Sequence, residues 1–212
     1  KGRFLSSEGK CESFGEGGEG YVPSEGVGAV LLKPLSKAEA DGDRIYGVIK
    51  GTSLNHGGVT NGYTVPNPNA QADVIQSAIK KAGVQPEDFS YLEAHGTGTS
   101  LGDPIEIVGL KKAFNSDSKQ FCAIGSVKSN IGHGESAAGI SGVAKVLLQM
   151  KHGKLVPSIH SKVLNKNIDF TNSPFRVQQD FEDWNVADGK KRLAGISSFG
   201  AGGSNAHVVI EA

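Results

Sequence analysis

"SYLEAHGTGTSLGDPIE" (90–106) runs from an apolar pair, Tyr91–Leu92, through a histidine and alternating glycines and threonines to a helix start at Asp103–Pro104. It is the centre of a strand–loop–helix unit. The strand is "FSYLEAH" (89–95) and the helix is "DPIEIVGLKKAF" (103–114). Pro104 sits in the first turn, where its missing N–H goes unused. The same order follows at once: a strand "FCAIGSV" (121–127), a loop carrying His133, and a helix "SAAGISGVAKVLLQMKHG" (136–153). That helix is apolar almost all round, which predicts burial in the middle of a domain. Its glycines would let a neighbour pack closely.

Working outward, "CESFGEGGEGYVPSEG" (11–26) reads as a loop and "VGAVLLKPL" (27–35) as a buried strand stopped by Pro34. A short helix is expected over 36–42, with Ser36 as N-cap and Gly42 as its stop. A long strand covers 44–56 and a loop 57–69. The spacing of Ala70, Val74, Ile75, Ala78, Ile79 and Ala82 predicts an amphipathic helix over 70–83. Pro86 opens a short turn. The region 154–185 is irregular apart from a strand at 173–177. Strands at 192–199 and 205–212, joined by "GAGGS" (200–204), form a hairpin. Strands separated by helices predict a mixed α/β layer with helices on both faces of the sheet.

The charged residues balance at 22 against 22 in 212 residues, with no basic tract, which argues against a nucleic-acid partner. No apolar run is long enough to span a membrane, and there is no apolar leader. Two cysteines, Cys11 and Cys122, cannot make a disulfide scaffold, so a reducing, cytoplasmic setting is expected. Lys1 opens the sequence and Met150 is its only methionine. The chain is therefore expected to be a processed chain, an expressed piece or the ordered part of a longer protein.

His95 and His133 each follow a strand and are flanked by glycines. In α/β sheets ligands gather beyond the carboxyl ends of strands. If the two strands are neighbours, both imidazoles enter one crevice. Two neutral imidazoles suit a reaction in which an oxyanion or enolate develops, since each can donate an N–H to it or move a proton. The helix starting near Ser136 would turn its positive end toward the same crevice. Lys128 and Glu135 are expected to pair and support His133. Thr97 and Thr99 either offer hydroxyls to an amide-bearing substrate arm or stabilise their own turn. Taken singly, a histidine beside glycines is more often structural; the repeated pattern favours chemistry. His56, His152 and His160 carry no such pattern, and His207 is expected to pack within a strand. No histidine pair or Cys-x-x-Cys has metal-ligand spacing, so no metal is expected. "GEGGEG" and "GAGGSN" lack the Gly-Lys-Ser/Thr of a phosphate loop. Cys11 lies among carboxylates that would raise its pKa, and Cys122 lies in an apolar strand; neither reads as an activated nucleophile.

"EAHGTGTSLGDPIE" (93–106), "SVKSNIGHGESAAGISG" (126–142), "SSFGAGGSNAHVVIE" (197–211) and "GEGYVPSEGVGAVLLKPL" (18–35) closely resemble motifs of the β-ketoacyl synthase domains of modular polyketide synthases. "GYTVPNPNAQ" (62–71) resembles the type whose acyltransferases act in trans. The resemblance implies a thiolase-like layered α/β/α/β/α fold made of two similar halves, of which residues 1–212 would be the C-terminal portion. It implies decarboxylative Claisen condensation between an enzyme-bound acyl thioester and a malonyl-type thioester on an acyl carrier protein. His95 and His133 would be the two catalytic histidines, Lys128 and Glu135 their supporting residues. Thr97 and Thr99 would line the phosphopantetheine tunnel, and Phe199 would stand near the pocket. No cofactor is expected on the chain itself, since the phosphopantetheine is the carrier protein's. The family's nucleophilic cysteine belongs to a Thr-Ala-Cys-Ser-Ser-like motif absent here, and is expected upstream in an N-terminal portion. A homodimer is also implied. "HGES" (133–136) departs from the family, which usually has a larger residue after the histidine. The alternatives left open are a ketosynthase-like module that binds carrier protein and passes chains on unchanged, and a fatty-acid-type ketosynthase.

Overall fold

A computed structural model describes residues 4–62 and 64–212; Tyr63, within the predicted 57–69 loop, and residues 1–3 lie outside the described residues. The helices are α1 (Leu35–Ala40), α2 (Pro68–Ala82), α3 (Gly102–Phe114), α4 (Lys128–Ile131) and α5 (Ala138–His152). The strands are β1 (Val48–His56), β2 (Tyr91–Glu93), β3 (Cys122–Gly125), β4 (Lys154–Leu155), β5 (Phe175–Val177), β6 (Glu182–Asp183), β7 (Leu193–Phe199) and β8 (Ser204–Glu211). Six strands form one sheet in the order β1-β8-β7-β2-β3-β5, while β4 and β6 pair separately. β2 runs parallel to β3 and β7, with Leu92 opposite Ile124 and Gly195. β8 is antiparallel to both β7 and β1.

Local chemistry explains the helix ends. Asn67 caps α2, its side chain accepting from the N–H groups of Asn69 and Ala70, and Pro68 follows at the first position. Gly83, at φ 67°, closes it in the left-handed conformation. The face predicted for α2 is the buried one: Val74, Ile75, Ala78 and Ile79 pack with Ile107, Leu110 and Phe114 of α3 and with Leu92 and Ile124 of the sheet. Strand alternation sends Tyr91, Ala123, Ile196 and Ile210 to the opposite face, where Val146 and Met150 of α5 cover them with Trp184. The sheet thus carries helices on both faces. Gly142 lets α5 approach: a Cβ there would lie 3.1 Å from Glu93 Cγ and 3.4 Å from Ile196. Beneath it, Lys145 Nζ meets both Glu93 Oε2 and the Tyr91 hydroxyl at 2.8 Å. Among the described residues, no helix is long and apolar enough to cross a membrane.

Three expectations need correcting. Residues 27–35 form no strand: 27–34 have no regular structure and no ladder partner among the described residues, Leu35 already opens α1, and Val27 and Leu31 are 99% and 98% exposed. An apolar run specifies a strand only where a neighbour completes its hydrogen bonds. α1 starts at Leu35, because Pro34 at φ −55° occupies the cap position; Ser36 lies inside the helix. α5 is buried on one side only, leaving Ala144 and Leu148 exposed.

The close approach at Gly142 predicts that Gly142→Val lowers the unfolding free energy of the complete domain by about 1–3 kcal/mol, through overpacking. Gly134→Ala, whose added Cβ meets nothing closer than 3.5 Å, should leave it unchanged. Denaturant unfolding of both variants checks this.

Candidate active site

β2, β3 and β7 run the same way, so the segments following them meet at one end of the sheet. The loop after β2 is held from two sides. Glu106, on the second turn of α3, accepts the N–H of His95 at Oε1 and that of Gly96 at Oε2, both at 2.8 Å. Asp103, one turn earlier, accepts Gly98 N–H at 3.1 Å and Phe14 N–H at 2.7 Å. Ser13 Oγ donates to the Gly96 carbonyl at 2.6 Å. Gly98, at φ 75°, lets residues 11–15 pack directly on the loop, since a Cβ would fall 2.6 Å from Glu12 N. Both carboxyls are buried, and burial is the main cause that raises Asp103 to about 6 and Glu106 to about 7, against the N–H donors that lower them.

His133 follows α4. Its N–H donates to Val22 O at 2.7 Å, and its carbonyl accepts Ser24 N–H at 2.9 Å. The two imidazoles stand 5.5 Å apart, centroid to centroid, with planes at 82°. Both line one cavity of about 1160 Å³, together with Thr97, Thr99, Phe199 and Glu135. His95 Nδ1 accepts the Phe199 N–H at 3.2 Å. His133 Nδ1 accepts the Glu135 N–H at 2.9 Å. A ring nitrogen that accepts carries no hydrogen, so in each neutral ring the proton resides on Nε2. Burial holds His95 well below the ordinary value of 6.5, aided by the charge of Lys128; His133 is lowered by the same two causes, with Glu135 opposing. The site therefore offers two neutral N–H donors side by side.

Lys128 is buried behind them. Desolvation lowers its pKa against the pull of Glu93, Glu106 and Asp103. It does not pair with Glu135 as expected: among the described residues no carboxylate lies within 4 Å of its Nζ. The reason is direction, since Lys128 points inward and Glu135 stands exposed on the rim. Glu135 instead serves His133 through its backbone. Thr99 stabilises its own turn, its hydroxyl accepting Gly102 N–H at 3.0 Å, and it lines the cavity with its hydroxyl oxygen 3.4 Å from that of Thr97. α5 begins with Ala138 on the cavity wall, close to the expected start.

Neither cysteine lines the cavity. Cys11 Sγ accepts Val22 N–H at 3.1 Å, and burial, more than the neighbouring acids invoked from sequence, raises its pKa. Burial likewise pushes Cys122 upward. His207 packs in the core, Nδ1 3.0 Å from Ser197 Oγ. Sequence reasoning missed Asp103 and Glu106 as loop anchors. Their signal was an Asp and a Glu three residues apart on the first turns of the helix that follows the loop, facing back toward it.

The family model for the β-ketoacyl synthase C-terminal domain matches residues 46–162, and that for the β-ketoacyl synthase N-terminal domain matches residues 1–38. Polyketide synthase PksL of Bacillus subtilis is 69% identical over 99% of this chain, which covers 5% of that protein. Polyketide synthase ThaG of Burkholderia thailandensis is 63% identical over 98% of the chain and 4% of its own length. The chain thus spans about a twentieth of these relatives. Among solved structures, the ketosynthase from module 6 of the bacillaene synthase of Bacillus subtilis superposes with a TM-score of 0.96 at 50% identity, over 99% of this chain and 38% of that one. The oxazolomycin ketosynthase domain of Streptomyces albus gives 0.95 at 56% identity, over 99% and 37%. These neighbours carry the thiolase-like fold.

Both rings should be neutral at pH 7 and gain a proton only on the acid side of 6.5, because folding lowers both pKa values. Imidazole NMR titration of the complete domain should give midpoints below 6.5 for His95 and His133. A midpoint at or above 6.5 for either would contradict the geometry.

Proposed function

The chain belongs to the β-ketoacyl synthase family, of the polyketide synthase type, and from that premise we propose that it supplies the two oxyanion donors for decarboxylative Claisen condensation. The observation that carries this reading is the pair of imidazoles in one cavity, 5.5 Å apart between centroids, each with Nδ1 accepting a backbone N–H.

In the proposed reaction the malonyl-type unit enters as a thioester on the phosphopantetheine arm of an acyl carrier protein. Its terminal C–C bond breaks and carbon dioxide leaves. The electron pair moves into the thioester as an enolate, whose oxygen accepts from the Nε2–H groups of His95 and His133. Donors fixed beforehand stabilise this charge without reorganising. The enolate carbon then attacks the acyl thioester on a cysteine, and the resulting tetrahedral oxyanion collapses with departure of the thiolate. That cysteine is supplied from outside residues 1–212, in the N-terminal portion of the domain. Lys128 helps to keep both rings neutral, and the hydroxyls of Thr97 and Thr99 hold the pantetheine amides. Phe199 fixes the His95 tautomer through its N–H and flanks the ring, 5.7 Å between centroids.

The proposed partners are the N-terminal portion, which would cover the exposed apolar Val27, Leu31 and Leu148, the acyl carrier protein, and a second copy of the domain. The retention of His133 favours elongation over a module that passes chains on unchanged.

Carbon dioxide release from malonyl-carrier protein by the complete domain tests the proposal. His95→Ala and His133→Ala should each slow it by about 10²–10³-fold, while Cys11→Ala and Cys122→Ala should still condense at the parent rate. An unchanged rate for His133→Ala would support the chain-passing reading instead. Loss of condensation in Cys11→Ala would place the nucleophile within this chain.

A further inference from the structure

A buried polar atom that bonds to nothing calls for a reason, because leaving an acceptor unpaired opposes folding. Three side-chain atoms stand so among the described residues: Gln71 Oε1, Gln149 Nε2 and His207 Nε2. Of these residues, Gln71 alone lines the cavity that holds the two histidines. It sits on the first turn of α2 and is 2% exposed. Its oxygen lies against α3 at Gly109, where a Cβ would come within 3.2 Å of it. Gly109 has no side chain to donate, and its N–H belongs to the helix ladder. Other polar groups on the cavity wall are already engaged. Asn67 Oδ1 accepts the N–H groups of Asn69 and Ala70, and its Nδ2 donates to Gly57 O at 2.7 Å. Asn205 Nδ2 donates to Asn55 Oδ1 at 3.0 Å. Each oxygen of Glu106 holds a backbone N–H. Gln71 is left with an acceptor to offer.

We propose that Gln71 is a specificity-determining residue of the site, its carboxamide oxygen receiving an N–H or O–H carried by the thioester that enters the cavity. The proposal rests on reading the cavity as a thioester site, and it adds a polar contact on α2 to those read at Thr97 and Thr99. The terminal torsion of a glutamine is soft and roughly two-fold, so a half-turn brings Oε1 to the cavity side. A contact there counts for more than one at the surface, because without it the oxygen has no partner, not even water. Two parts of such a substrate carry donors: the pantetheine arm, with amide N–H and hydroxyl groups, and an acyl chain that bears a hydroxyl. A chain of methylenes offers none.

The test measures acylation of the complete ketosynthase domain, read by intact mass. The probes are 3-hydroxybutyryl and butyryl thioesters, each on pantetheine and on N-acetylcysteamine. Gln71→Met keeps the length of the side chain and removes both polar atoms. It should lower the second-order rate constant about five- to tenfold, as for one hydrogen bond, with the thioesters that bear the donor. A loss confined to the 3-hydroxybutyryl pair assigns the donor to the acyl chain. A loss confined to the pantetheine pair assigns it to the arm beyond the amide that N-acetylcysteamine retains. The ligand-free variant should also melt at a higher temperature than the parent, since it no longer buries an unpaired oxygen. Unchanged rates, or an equal loss with every thioester, would overturn the proposal. So would a lower melting temperature, which marks a glutamine kept for structure alone. Carbon dioxide release from malonyl-carrier protein by His133→Ala separates the two readings. Release at the parent rate would overturn the catalytic reading, while the acylation rates would still decide whether Gln71 binds the thioester.

Discussion

Two buried carboxylates hold the site together. Asp103 and Glu106 receive four backbone N–H groups between them, from Phe14, His95, Gly96 and Gly98. A glycine-rich loop has little conformational preference of its own. Here it is fixed from the helix behind it, and His95 is placed by its own main chain. The cost is burial of two acids, which raises both pKa values. Buried N–H groups left without acceptors would cost about 1–3 kcal/mol each, so loop and acids stabilise each other.

The same logic sets the protonation of the histidines. Lys128 is buried within reach of Glu93, Glu106 and Asp103, and its charge lowers both imidazoles. Backbone N–H groups from two different segments, at Phe199 and Glu135, occupy the Nδ1 positions. Field and hydrogen bonds act in the same sense: both favour a neutral ring with its hydrogen on Nε2. The arrangement suits an anion that forms during reaction, because the donors are already aligned before the charge exists. Deeper in the sheet, Glu93 joins β2 to the turn after β3 by accepting Val127 N–H at 2.5 Å, while Lys145 balances its charge. The strand that delivers His95 and the turn that carries Lys128 are thus tied through one carboxylate.

Much of this was legible before the structure. α2, α3 and the β7–β8 hairpin announce themselves by apolar spacing, a capping glycine or a glycine turn, because local chemistry alone decides them. The repeated order of strand, histidine and glycine brings His95 and His133 together only if their strands are neighbours, and the parallel pairing of β2 with β3 meets that condition. What sequence could not show was direction and partnership. The apolar run at 27–35 looks like a strand whether or not a neighbour is there to pair with it. Lys128 and Glu135 are close along the chain yet face opposite ways. Asp103 and Glu106 resemble any acidic first turn until the loop is seen folded back on them.

The most direct measurement of the central claim is a crystal structure of the complete domain with an unreactive malonyl thioester analogue on its carrier protein. The two-donor account predicts the thioester oxygen within about 2.7–3.1 Å of Nε2 of both His95 and His133. A thioester oxygen held by other donors, with either Nε2 turned away from it, would contradict the account.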